Sequence, residues 1–122
     1  MSVKLFDSEL KVMEVLWKEG ELPAKSIAET LGRQVGWNKN TTYTVIKKCI
    51  EKGAVARSDP HFVCRALVSK EQAQAFEVEE LVNKLFDGSP DLLFASLVDN
   101  KIVPANLLEN LKPPASNKGE ER

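Results

Sequence analysis

Histidine and cysteine are scarce in this chain of 122 residues: His61 is the single histidine, and Cys49 and Cys64 are the only cysteines. A hydrolytic triad or a zinc centre needs more such groups than that. Two cysteines do not make a disulfide framework either. Past Cys64 neither residue type occurs again. A long apolar run is missing too: MSVKLFDSELK at the start lacks the core of a signal peptide, and no stretch is of membrane length. The expectation is a cytoplasmic, non-enzymatic protein with no cofactor, no metal and no membrane partner. Hydrophobic and charged contents of 43% and 29% are those of a folded domain, or of one domain with a small appendage.

Excess charge is also missing overall, at −1, but its distribution is uneven. Residues 1–32 hold four lysines against six acidic residues, and residues 66–122 hold six basic against ten acidic. Between them, Arg33, Lys39, Lys47, Lys48, Lys52, Arg57 and Arg65 face only Glu51 and Asp59, a local balance of +5. A basic middle between acidic ends points to one localised surface for an anionic partner.

Turn and cap residues divide the chain into elements. Asp7 or Ser8 can cap a first helix bearing Leu10, Met13, Leu16 and Trp17 and closed by Gly20. Pro23 suits the first turn of a second helix, with Ile27 and Leu31 inward, stopping at Gly32. A third helix runs from Asn38 as cap to about Lys52, before Gly53. In AVARSDPHFVCRALV, alternating Val55 and Arg57, then Phe62, Cys64 and Ala66, flank the turn-like Ser58-Asp59-Pro60-His61, which reads as a β-hairpin. Ser69 and Gln72 form a capping box for a fourth helix carrying Val78, Leu81, Val82, Leu85 and Phe86. Ser89-Pro90 and Val103-Pro104 can open a fifth and a sixth. KPPASNKGEER, residues 112–122, has the composition of a disordered tail.

Three helices and then a hairpin is the order of a winged helix-turn-helix, whose third helix enters the major groove. The expected class is mainly α with a small β-hairpin: a DNA-binding domain over residues 1–68 and a helical dimerisation segment over 69–111. In the third helix, Thr42, Val45, Ile46 and Cys49 recur at three- and four-residue steps and form the inward stripe. Asn40, Tyr43, Thr44, Lys47 and Lys48 share the other side. Asparagine can pair bidentately with adenine, and threonine can meet a base edge or a thymine methyl. Thr, Asn and Tyr are mediocre helix formers, so a merely solvated face gives no reason for them. The competing reading is a winged helix that docks protein and ignores DNA sequence.

The run WNKNTTYTVIKKCIEKGAVAR, the later F-x-C and KLFDGS, and the first-helix stretch DSELKVMEVLWKEG closely resemble the penicillinase repressor family. That family includes bacterial regulators of β-lactamase and methicillin-resistance genes and related copper-responsive repressors. The resemblance implies a homodimeric repressor on palindromic double-stranded operator DNA. It implies base reading by Asn40 and Thr44, to which Tyr43 is added from its place on the same face. It implies backbone support from Trp37, Thr41 and Lys48. Asn38 and Lys39 at the helix start and Lys47 further along join that backbone set, with Arg57 and Arg65 of the wing added from charge and hairpin geometry. In the β-lactam-responsive branch an inducing protease or sensor system leads to cleavage in the dimerisation segment. The aligned bond here is Ser96-Leu97, where cleaved members have Asn-Phe, so this sequence departs from the pattern. The copper-responsive branch uses C-terminal cysteines, which this chain lacks.

Helices four to six span too few residues to bury a core alone. Their apolar residues either fold back on the winged helix or pair with the same segment of a second chain. With the homodimer that the resemblance implies, Val78, Leu81, Val82, Leu85, Phe86, Leu93, Leu97, Leu107, Leu108 and Leu111 are the expected dimerisation set.

Overall fold

The computed structural model describes residues 3–108. Along the chain the elements are α1 (Asp7–Glu19), β1 (Leu22–Pro23), α2 (Ala24–Val35), α3 (Lys39–Glu51), β2 (Val55–Ser58), β3 (Val63–Ala66), α4 (Lys70–Leu85), α5 (Pro90–Asp99) and α6 (Ala105–Leu108). The three strands form an antiparallel sheet of order β1-β3-β2. Val55 lies opposite Ala66 and Arg57 opposite Cys64 in the hairpin, and Leu22 faces Cys64 from the other edge. The expected hairpin is present, and β1 is an addition. Its two residues carry no alternation to recognise, and Pro23 is tolerated because it sits on an edge strand.

Two helix ends differ from expectation. The residue capping α1 is Phe6, not Asp7 or Ser8. Glu9 reaches back to accept a hydrogen bond from the Phe6 N–H at 2.8 Å, so a carboxylate in the first turn does the capping. Helix α2 runs through Gly32 to Val35. A glycine inside a helix costs about 1 kcal/mol but does not stop it. The stop comes at Gly36, whose left-handed φ of 74° turns the chain out. The other two predicted side-chain caps are formed. Asn38 accepts from the Thr41 N–H at 2.8 Å. Ser69 and Gln72 bond each other's backbone N–H at 3.0 and 2.8 Å.

The chain divides into two compact units, Met1–Glu79 and Glu80–Arg122, a division that falls inside α4. In the first, Val12, Met13 and Leu16 of α1, Ile27 and Leu31 of α2, Ile46 and Cys49 of α3, Val55, Cys64 and Val68 form one core. The unit extends past residue 68 because Ala73 joins that core and Lys70 pairs with Glu14 of α1 at 3.2 Å. Trp17 seals the junction by donating its indole N–H to the Val68 carbonyl at 2.8 Å. Val78 also belongs to this unit and lines, with Leu10 and Trp17, an open groove of about 370 Å³.

In the second unit, α5 is capped by Ser89 and has no buried residue. Val82 is buried; Phe86, Leu93 and Leu97 are half-buried; Leu81, Leu85 and Leu107 are exposed. Leu111, the side chain of Leu108 and the tail at 112–122 lie outside the described residues. Among the described residues no helix is long and apolar enough to cross a membrane.

Candidate nucleic-acid interface

Helix α3 is held to the body by the stripe its spacing predicts: Thr42, Val45, Ile46 and Cys49 are all buried. A continuous set on its other side, Asn38, Lys39, Asn40, Thr41, Thr44, Lys47 and Lys48, is exposed. The end of α3 nearest Asn40 is the positive end of the helix dipole, suited to an anion. Trp37 is half-buried against the core at the helix entry.

Tyr43 departs from the outward set. It is half-buried, and its ring stacks on Phe62 of the hairpin, with centroids 6.0 Å apart. Position alone put Tyr43 on the polar face; a tertiary contact with the wing turns its ring aside.

The basic middle of the chain is also redistributed. Lys52, at the C-terminal cap of α3, lies over the Phe6 ring at 4.0 Å and donates to the Lys4 carbonyl at 2.8 Å and to Glu9 at 2.5 Å. The Glu9 side chain is only 2% exposed, so this is a buried pair, fixed further by the Phe6 N–H. Lys52 therefore serves the junction of α1 with α3, whereas Arg33, Lys39, Lys47, Lys48 and Arg65 are exposed. Arg57 is exposed too, but its Nε donates to Asp59 at 3.0 Å and its guanidinium sits 3.6 Å from the Phe62 ring centre. Sequence reasoning assigned no role to Glu9, gave Asp59 only a place in the turn, and put Phe62 in the second strand, which begins one residue later at Val63. For Glu9 the sequence carried no distinct signal, because Asp7 and Ser8 beside it offered polar caps of their own.

Both thiols are fully buried. Burial, with Glu9 adding to it, pushes the Cys49 thiol up to about 12, and burial pushes Cys64 up to about 11. Neutral, enclosed thiols are poor nucleophiles and poor metal ligands. Among the described residues no three His, Cys, Asp or Glu side chains are grouped to hold a metal. The Ser96-Leu97 bond lies inside α5. The Ser96 carbonyl accepts from the Asn100 backbone N–H at 3.0 Å, and the Leu97 carbonyl from the Ile102 N–H at 2.9 Å.

Comparison with known proteins finds a family and a fold. The family model described as penicillinase repressor matches residues 5–114. A penicillinase repressor of Bacillus licheniformis is similar at 22% identity over 99 residues, covering 80% of this chain and 77% of that protein. Among solved structures, the solution structure of the DNA-binding domain of the repressor BlaI is similar, with a TM-score of 0.53 and 25% identity. That match covers 59% of this chain and 93% of the domain, and the fold they share is the winged helix.

Proposed function

The chain belongs to the penicillinase repressor family, a family of DNA-binding regulators and not of enzymes, and from that premise we propose that it is a bacterial transcriptional repressor. It acts in the cytoplasm as a homodimer on a palindromic operator, with α3 in the major groove and the wing along the backbone. Asn40 and Thr44 read bases. Trp37, Asn38, Lys39, Thr41, Lys47 and Lys48, with Arg57 and Arg65 of the wing, meet phosphates. Tyr43 acts from beside them, through its contact with the wing. The observation that carries this reading is the division of α3: one stripe is buried, and the opposite face exposes short polar side chains and lysines.

The dimer is supported by what the second unit leaves uncovered. Leu85 is 67% exposed and Leu81 37% exposed, although both are large and apolar. Covering them with the same segment of a second chain buries both faces and gives C₂ symmetry. Recognition helices related in this way meet half-sites about one helical turn apart.

A genomic-library selection for bound fragments supplies the operator, and titrations on it test the reading. Asn40→Ala should weaken operator binding by about 1–3 kcal/mol and relax discrimination at one base position. Lys48→Ala should weaken binding to all sequences alike and lower the salt dependence by about one phosphate contact. If both variants bound operator like the unaltered protein, the assignment of this face would be wrong. Binding indifferent to DNA sequence would favour a protein-docking module.

A further inference from the structure

Three side chains from different parts of the first unit are stacked beside the proposed DNA face. Tyr43 of α3 lies on Phe62, with ring planes 14° from parallel. The guanidinium of Arg57, from β2, lies 3.6 Å from the centre of the same Phe62 ring and donates to Asp59 at 3.0 Å. Phe62 itself is held at a left-handed φ of 50°, and its carbonyl accepts from the Ala24 N–H at 2.9 Å. A phenylalanine adopts that backbone only where its surroundings over-determine it. One residue thus joins the recognition helix, the wing and the start of α2.

Resting on the DNA-binding reading above, we propose that Phe62 is a positioning residue that aims Arg57 at the DNA backbone in register with α3. Asp59 occupies the guanidinium in the free protein where a phosphate takes it in the complex. An unrestrained arginine has many rotamers to lose on binding; one stacked on a ring and hydrogen-bonded has few. The fork of donors on Arg57 suits a phosphate as well as a carboxylate. Its present partner is weakly held: the Arg57 and Asp59 side chains are 43% and 63% exposed, and pairs so open to water contribute little. Once a phosphate has displaced it, the Asp59 carboxylate stands beside a second negative charge and opposes the complex. Asp59 is therefore a built-in competitor that limits the affinity of the wing for any duplex.

The test uses the full chain and a mixed-sequence duplex of about 30 base pairs, because phosphate contacts do not depend on sequence. Affinity is measured across a range of salt. Arg57→Ala should lower both affinity and the salt slope, the slope by about one phosphate contact. Phe62→Leu should reproduce most of that loss, Phe62→Tyr should keep the unaltered slope, and the Phe62→Leu/Arg57→Ala double variant should bind like Arg57→Ala alone. Asp59→Asn should tighten binding about three- to fivefold, and clearly less in an Arg57→Ala background, where only the repulsion of the phosphate is left to relieve. The Asp59 arm stands whether or not Phe62→Leu folds. Additive losses in the double variant would overturn the inference. So would Asp59→Asn binding no tighter than the unaltered protein, or tightening equally without Arg57. Unaltered protein that binds no duplex at low salt overturns the DNA reading and this inference together. Binding by it, with unmoved variants, overturns the inference alone.

Discussion

The two units of this chain handle apolar residues in opposite ways. In the unit that ends at Glu79, three helices, a small sheet and the start of α4 close on Met13, Ile27, Leu31 and Ile46, none more than 2% exposed. In the unit that begins at Glu80, Val82 is the one large apolar side chain among the described residues to reach that core-like burial, at 7% exposed, and α5 buries none. Both segments have amphipathic helical spacing, so local sequence does not explain the contrast. What differs is the number of elements available to cover each helix. The first unit has enough to finish its core within one chain; the second leaves Leu81, Leu85, Leu92 and Phe94 exposed.

The contrast can be broken or sharpened in several ways. Ile46→Ala should have the largest effect, about 2–5 kcal/mol in urea unfolding and the same at every protein concentration. A loss below about 1 kcal/mol would mean that the first unit is not closed in the way its burial indicates. Glu9→Gln should follow, at about 2–3 kcal/mol, because it removes the buried negative charge that Lys52 faces. An unchanged urea midpoint would show that the pair does not hold α1 to α3.

Leu85→Ser should act differently. At low protein concentration it should change stability by no more than about 0.5 kcal/mol, since the side chain is largely exposed. The unaltered chain should melt higher as concentration rises, and this variant should flatten that dependence. Sedimentation of a chain truncated after Glu79 should give a single-chain mass, against a two-chain mass for the whole. A truncated chain that still paired would move the interface into the winged helix.

The last effect concerns the thiols and is felt only at alkaline pH. With folded values of about 12 and about 11 against an ordinary 9.0, the neutral forms of Cys49 and Cys64 are favoured by folding. The stability this supplies is fully present below about pH 9 and is lost as pH rises through 11 and 12. A thiol reagent near pH 8 should label the protein only in denaturant; rapid labelling of the native chain would contradict their burial.

Much of the candidate interface was legible because it is local. The inward stripe of α3, the Asn38 cap and the Ser69–Gln72 box depend on residues three to seven positions apart, and each formed as its spacing implies. The polar face followed by subtraction, except for Tyr43. Its ring is claimed by Phe62, nineteen positions away, and no helical period contains that contact. The basic middle was overcounted for the same reason: Lys52 lies 43 positions from Glu9 yet is its buried partner. Gly32 misled in the other direction, because a glycine ends a helix only where the backbone turns left-handed.

Sequence by itself determined which residues α3 buries, where its helix begins, and that a charged hairpin follows it. These are consequences of helical and strand periodicity and of short-range hydrogen bonds to backbone. Tertiary structure alone decided that Glu9 is interior, that the first half of α4 belongs with the winged helix, and that Arg57, Phe62 and Tyr43 form one stack. Those outcomes rest on contacts between distant segments, whose formation depends on how whole elements pack and not on any pattern within one of them.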